Sequence, residues 1–315
     1  MKKWKIGIVG LGRGKGFVNV FGAHPDVTIS AICDIDAGKL SAVGDAFKLP
    51  DSARYSNFDD FINAGMDIVM VATPIPLHTE HTIKALEAGK HVLCEQTVAY
   101  TIDECIRVVD TVKKTGKVYM MAENYCYFHY VREWKKIVDS GKLGEIVYAE
   151  GEYIHEIVDL LVDKKTGGYF WRHERPPIWY CAHTLGPILM LMNDRVVKGC
   201  GLTSGFKAFP EYSGHPGFLD FEVGLFKTEK GAVIKILRSQ VPASPHFVWY
   251  SLYGTRGHLE NKRSRGEGFL YVKGTSPSDG EIFTSSVIDP NAPEDAKKGG
   301  HGTSEYYMIR DFLSA

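Results

Sequence analysis

Cysteine is sparse in this chain, and none of it is paired by spacing. Six cysteines occur in 315 residues, singly at 33, 94, 105, 126, 181 and 200, with no C-x-x-C among them. A chain of this length buries enough surface to need no disulfide staples, so reduced thiols and a cytoplasmic location are expected. Charge of one sign is lacking too: 37 Lys+Arg stand against 38 Asp+Glu, a net charge of −1. Lys113-Lys114, Lys135-Lys136 and Lys297-Lys298 are isolated pairs that read as solvated faces, so nucleic-acid binding has no electrostatic footprint. No apolar run approaches the roughly 20 residues of a membrane span. The N-terminal MKKWKIGIVGLGRGKG starts like a secretion signal, but its apolar run is short, broken by glycines and followed by Arg13 and Lys15. It reads as a first strand. Repeats and low-complexity tracts are absent. What remains, 44% hydrophobic and 24% charged, is an ordinary globular composition with room for about two domains.

The first part of the chain alternates strand-like and helix-like segments, which predicts a parallel sheet with crossover helices. Strands are expected at 5–10, 28–34, 67–73, 91–95 and 117–124. DIVMVAT (67–73) is apolar on both faces, as central parallel strands are. Helices are expected at 77–90 and at 101–116, the latter with Cys105, Ile106, Val109 and Val112 at helical spacing and Gly116 as its stop. After about residue 125 the pattern changes. One helix (130–144) is followed by long strand-like segments at 145–155, 219–229, 232–241 and 247–261, which predicts an antiparallel sheet in a second, α+β domain. The division expected is 1–123 and 124–315.

After the first strand comes Gly10-Leu-Gly12-Arg13-Gly14-Lys-Gly16. Between a strand and a helix, such glycines let the backbone approach a pyrophosphate held by helix N-terminal amides. Asp34 ends the second strand, where a carboxylate bonds the adenosine ribose. The sixth position of G-x-G-x-x-G is Lys15, so the third close contact must come from Gly14 or Gly16. No arginine stands beside Asp34, which favours NAD over NADP. Gly10, Gly12, Arg13, Gly14 and Asp34 are the cofactor-binding candidates. The alternative is an ordinary glycine-rich turn.

ATPIPLHTEHTIKALEAGKHVLCEQ (72–96) resembles the glucose-fructose oxidoreductase and inositol dehydrogenase family, Gfo/Idh/MocA. The resemblance implies a Rossmann doubly wound domain that binds NAD(P), then an α+β domain with an open, mostly antiparallel sheet. It also implies a sugar or polyol substrate, and the open sheet face predicts a homo-oligomer, since exposed apolar sheets are usually covered. It adds Thr73, Pro74, His78, Glu95 and Gln96 to the residues around the cofactor. His78 and His81 spell H-x-x-H, but a zinc site needs three or four placed ligands and no third is spaced for it, so no metal is expected. The family commonly has Glu-Lys-Pro where this chain has Glu95-Gln96-Thr97. That lysine helps move the hydroxyl proton, and glutamine cannot titrate.

AENYCY (122–127), AEGEYIHE (149–156) and YCAHTLGP (180–187) resemble a branch that also lacks the lysine, the NAD-dependent glycosidases typified by the α-N-acetylgalactosaminidases. The resemblance places Glu123, Tyr153, Tyr180 and His183 around the sugar. It implies transient oxidation at C3, loss of the acidified C2 proton, expulsion of the C1 substituent, addition of water and re-reduction. His183 is expected to handle the hydroxyl proton, a task suited to a group that titrates near neutrality. Tyr153 is expected to move the C2 proton, with Glu123 and Tyr180 placing or polarising the sugar. Structural alternatives stand beside these: Glu123 as a helix cap, Tyr153 and Tyr180 as core aromatics, His183 as a satisfied core histidine. Arg172 and His173, in GGYFWRHERPP, are substrate-binding candidates or part of a solvated lid. The branch has Ser-Pro-Arg-Pro-Tyr where this chain has Ser244-Pro245-His246-Phe247-Val248, so N-acetylhexosamine specificity is not expected to carry over. The chain stops at EYYMIRDFLSA within an amphipathic helical pattern, where relatives continue. Two other functions fit the sequence: a plain sugar dehydrogenase that releases NADH, and a silent NAD-binding sensor.

Overall fold

The computed structural model describes residues 3–241, 245–263 and 266–315. The chain forms two compact units: 1–128 together with 287–315, and 129–286.

The first unit is built on β1 (Trp4–Val9), β2 (Val27–Cys33), β3 (Arg54–Tyr55), β4 (Ile68–Val71), β5 (His91–Glu95) and β6 (Tyr119–Ala122). The order is β3-β2-β1-β4-β5-β6, and every pairing is parallel. This is the doubly wound order, whose ligand crevice lies outside the carboxyl ends of the strands where the order reverses, at β1 and β4. All four residues of β4 are buried, as its continuous apolar sequence predicts. The crossovers run through α1 (Leu11–Phe21), α2 (Ala37–Ala46), α3 (Phe58–Ile62), α4 (His78–Glu87) and α5 (Ile102–Thr115). Thr101 and Glu104 close a reciprocal capping box on α5, and Gly116 ends it in the left-handed region at φ 64°. The stripe predicted for α5 is only partly realised. Val108 is its buried residue, while Ile102, Ile106 and Val109 are exposed.

Two expectations need correction. The chain does not divide at 123 into two contiguous parts, because 287–315 belongs to the first unit. Met308, Ile309 and Phe312 of the helix Ser304–Ser314 pack into the core with Ile6, Phe17 and Phe21. An amphipathic pattern shows that a helix has a buried side but not which sheet buries it. The segment 247–261 is a hairpin rather than one strand, because Gly254-Thr255-Arg256-Gly257 turns the chain.

The second unit carries α6 (His129–Asp139), α7 (Ala182–Met192) and an eight-stranded sheet. Its strands are β7 (Ile146–Ile154), β8 (Val196–Thr203), β9 (Glu222–Thr228), β10 (Val233–Ser239), β11 (Phe247–Gly254), β12 (Gly257–Asn261), β13 (Glu267–Val272) and β14 (Glu281–Thr284), in the order β14-β13-β12-β11-β7-β10-β9-β8. Among the described residues only the β7–β10 pairing of this sheet is parallel. Side chains alternate between the two faces. Ala149, Gly151 and Tyr153 of β7 therefore share a face with their partners Ile234, Ile236 and Arg238 of β10. α7 covers this face at Gly151, where a Cβ would meet Ile188, Ile236 and Thr184 at 3.0–3.2 Å. The glycine of AEGEY thus lets the start of α7 close on the end of β7. Among the described residues no helix is long and apolar enough to cross a membrane.

Candidate functional site

In the first unit the glycines of the β1–α1 turn have separate tasks. Gly10 has φ 87°, and a Cβ on it would lie 2.5 Å from the Ala72 carbonyl oxygen, so only glycine fits against the end of β4. Gly14 packs on the sheet, where a Cβ would meet Ile8 at 2.9 Å, while Gly16 is looser. Gly14 therefore supplies the close helix–strand contact that Lys15 cannot. Gly12 faces open space, and a Cβ on it would meet nothing within 4 Å. Over Gly12, at the start of α1, first-turn amides lack intrahelical partners. That opening fits a pyrophosphate. Asp34 braces the turn: its Oδ2 accepts from Leu11 N at 2.6 Å and its Oδ1 from Asp36 N at 2.9 Å. Each oxygen keeps a further lone pair for a ribose hydroxyl. Ile35, next in sequence, is 94% exposed. An apolar side chain held in solvent beside that acid suits a flat base, and the sequence reading missed it.

Arg13 and Glu95, both expected at the cofactor, pair with each other, Nε to Oε1 at 2.6 Å. Arg13 also donates from Nη2 to Glu305 at 3.0 Å, and His301 Nδ1 lies 2.8 Å from the same Glu305 oxygen. Glu305 is 2% exposed. Burial would raise its carboxyl, but His301 and Arg13 hold it below the usual range. The C-terminal segment therefore grips the nucleotide loop through a carboxylate that no motif announced. Breaking a buried ion pair from one side costs about 3–5 kcal/mol. The Arg13 side chain is 37% exposed, so Glu305→Gln should cost less, about 2 kcal/mol, in a urea titration. An unchanged midpoint would show that the network adds nothing.

Thr73 and Pro74 follow β4, and Thr73 Oγ1 lies 3.2 Å from His81 Nδ1. His78 is fully buried, with Nδ1 2.8 Å from the Thr97 carbonyl and Nε2 2.8 Å from the Thr73 carbonyl. Both ring nitrogens are spent on main-chain carbonyls, so His78 ties the two loops together and its ring offers no polar atom to a cofactor. Carbonyls only accept, so both nitrogens must donate and the ring must be a cation. Burial pushes its pKa down, but Cys94, Thr97 and Thr73 outweigh it and hold it up at about 9. Burial pushes His24 and His81 down to about 4. In the unfolded chain all three titrate near 6.5. The His78 contribution is therefore complete below pH 6.5 and lost as pH rises through 9. His24 and His81 cost stability as pH falls from 6.5 towards 4. Urea midpoints should peak near pH 6.5, with an alkaline loss of about 3 kcal/mol that His78→Gln abolishes. A flat profile from pH 6.5 to 9 would refute the charged imidazole. Gln96 is buried, and its peptide bond to Thr97 is cis. Glu123 is buried and caps the short helix Asn124–Tyr127, accepting from Tyr125 N at 3.2 Å. The capping alternative is thus realised for one of its oxygens.

The second unit brings three expected residues together. Tyr153 is the last residue but one of β7, and His183 stands in the first turn of α7. Tyr180 closes the short helix just before α7. The His183 ring meets Tyr153 edge-on at 5.3 Å and Tyr180 at 5.5 Å between centroids. Pro187 explains how His183 is held. Proline has no N–H to give the carbonyl four residues back, and that carbonyl belongs to His183. The buried Tyr250 hydroxyl donates to it instead. Tyr153 Oη lies 2.8 Å from His155 Nδ1. His246 stacks on His155 at 4.3 Å and meets Tyr153 at 5.3 Å. Arg238, buried on β10, lies 4.2 Å from the Tyr153 ring centroid and donates to the Tyr153 and Ser239 carbonyls. Arg172 reaches the Tyr180 ring at 5.4 Å. His173 turns away, stacked on Tyr169 at 4.7 Å and donating to the Phe170 carbonyl. Ser244 lies outside the described residues. No group of three or more His, Cys, Asp or Glu is placed to hold a metal among the described residues.

Residues 4–123 match the family described as "Oxidoreductase family, NAD-binding Rossmann fold". A glycosyl hydrolase family 109 protein of Saccharopolyspora erythraea is 29% identical across 97% of this chain and 73% of its own length. One from Shewanella pealeana is 32% identical across 80% of this chain and 62% of its own. Over its first unit the chain matches the Gfo/Idh/MocA oxidoreductase family. Its first unit is an NAD-binding Rossmann fold. It spans less than two thirds of the Shewanella relative. Levoglucosan dehydrogenase, solved with NADH and L-sorbose, superposes with a TM-score of 0.84 at 20% identity, covering 100% of this chain and 90% of that one. myo-Inositol 2-dehydrogenase of Lactobacillus plantarum gives 0.76 at 21% identity, covering 99% and 89%. At those identities the likeness is one of fold.

In the second unit the sequence reading missed His155, Arg238, His246 and Tyr250. His155 had a signal, since it stands two residues after Tyr153 in a quoted motif. Arg238 and Tyr250 had none, because strand pairing alone brings them in.

Proposed function

We propose that the protein is an NAD-dependent sugar oxidoreductase that uses its redox step to cleave a glycosidic bond without net oxidation. NAD, which Gly10, Gly12, Gly14 and Asp34 would hold, would supply a reversible hydride acceptor for the ring carbon, C3 on this reading. The chain's own residues handle protons. His183 takes the hydroxyl proton, replacing the lysine that Gln96 displaces. Tyr153 moves the C2 proton and passes it to His155 across their 2.8 Å contact. The Arg238 guanidinium over the Tyr153 ring stabilises negative charge as the phenol gives up its proton. Tyr180 orients the sugar, and Glu123 polarises a hydroxyl through its buried carboxylate.

The observation that carries this reading is the convergence of Tyr153, His155, His183 and Arg238, two proton carriers more than a simple oxidation needs. The names of the curated relatives support cleavage. Those of the superposed dehydrogenases support the second reading, a sugar dehydrogenase that releases NADH. The test is a panel of aryl α- and β-glycosides, with and without NAD⁺, followed for aglycone and for absorbance at 340 nm. Aglycone release that requires NAD⁺ without net NADH is expected. Stoichiometric NADH without cleavage would establish the dehydrogenase instead. The same proposal includes a cytoplasmic location and a homo-oligomer. The sheet face away from α7 exposes Leu225, Val233 and Tyr253, a surface a second copy can cover. Light scattering should give a mass at least twice 35.1 kDa, and a monomer would refute it.

A further inference from the structure

We propose that Arg172 and Arg175 form an anion-binding subsite beside Tyr180, and that the substrate carries an acidic group on the oxidised sugar or on its neighbour. The inference rests on the reading that Tyr180 faces the sugar.

A narrow cleft is lined by Trp171, Arg172, Arg175, Trp179, Tyr180 and Gln240. It admits a group of about the size of a carboxylate oxygen, not a second ring. Arg172 lies 4.4 Å from the Trp171 ring centroid and 5.4 Å from that of Tyr180. Arg13, Arg54, Arg195, Arg263 and Arg310 each pair with a carboxylate. Among the described residues Arg172 pairs with none. Its position is also built. Gly217 lets the loop lie directly on it, since a Cβ there would meet the Arg172 carbonyl oxygen at 2.7 Å, and buried Gln240 donates to the Gly217 carbonyl at 2.8 Å.

The local charge is positive. Arg175 lies over Trp179 at 5.9 Å, and Arg238 is 6.0 Å from the Tyr180 ring centroid. Against these three guanidiniums stand the carboxylates of Glu174 and Glu222. Glu222 is buried and accepts from Ile178 N at 2.7 Å. A stacked guanidinium is oriented for in-plane, two-point bonding to a planar or tetrahedral oxyanion.

Calorimetry on the NAD-loaded protein tests this, with D-glucuronate, D-galacturonate, glucose 6-phosphate, glucose and galactose as probes. An acidic probe is expected to bind at least 10-fold more tightly than its neutral parent, and to weaken as salt rises. The carboxylate and phosphate arms show which anion fits. Arg172→Ala should erase the preference, lowering the affinity for the acidic probe at least 10-fold more than that for its neutral parent. Arg172→Gln, which keeps a planar stacking group, should do the same if the alanine variant unfolds. Equal affinity for acidic and neutral probes, or no binding of any, overturns the proposal. So does an equal loss for both kinds in the variants, which would make Arg172 a packing residue. The readout needs no turnover. An acidic preference without aglycone release would remove the glycosidase reading and keep the subsite; release without an acidic preference would do the reverse.

Discussion

Replacing His183 by asparagine should lower turnover about 10³-fold while leaving the urea midpoint within about 1 kcal/mol. A positioned acid–base group contributes about 10²–10⁴, and the Gln96 side chain cannot take over its proton. Asparagine keeps a polar side chain of moderate size at the start of α7, and the main chain there is fixed independently of the imidazole. The Tyr250 hydroxyl holds the His183 carbonyl that Pro187 leaves without a donor. The variant should still bind NAD, since every candidate for that task lies in the other unit. Tyr250→Phe supplies the contrast. It removes only the anchor, so a loss near 10-fold in kcat with KM unchanged is expected, about 1.4 kcal/mol. A His183→Asn enzyme that keeps a tenth of its activity would remove this residue from the chemistry.

The nucleotide half was legible because its signals are local. A strand, a run of glycines and an acid at the next strand end describe one βα turn and its neighbour, and in the structure Asp34 accepts from Leu11 N at that turn. The third glycine was undecided between Gly14 and Gly16, because only the depth of the helix against Ile8 chooses. The second unit was less legible. Its mostly antiparallel character could be read, but β8, β13 and β14 were not, since VVKGCGLT and EGFLYV carry glycines within the run and EIFT is only four residues long. Tyr153, Tyr180 and His183 came from motifs, whereas Arg238 meets Tyr153 through a register that sequence spacing does not encode. Glu305 shows the same limit at longer range: 292 residues separate it from Arg13, and its chemistry exists only because the C-terminal helix returns to the first sheet.

Tyr153→Phe should separate the two proton transfers that the proposed cleavage requires. Phenylalanine keeps the ring against His183 and beneath Arg238, so the face of β7 stays packed. What goes is the hydroxyl, and with it the contact to His155. The stability cost should be about 1 kcal/mol, that of one hydrogen bond. Steady-state cleavage should fall at least 100-fold, within the range for a lost acid–base group. Hydride transfer precedes the C2 step and relies on His183, so a single turnover should still show transient absorbance at 340 nm. Exchange of the C2 hydrogen with D₂O should disappear. His183→Asn should lose both signals, because without the hydroxyl proton transfer neither later step begins. If Tyr153→Phe instead abolishes the transient absorbance and His183→Asn preserves it, the two residues have exchanged roles. If Tyr153→Phe retains C2 exchange at the wild-type rate, His155 or another base reaches that carbon without the phenol, and the Tyr153–His155 relay is wrong.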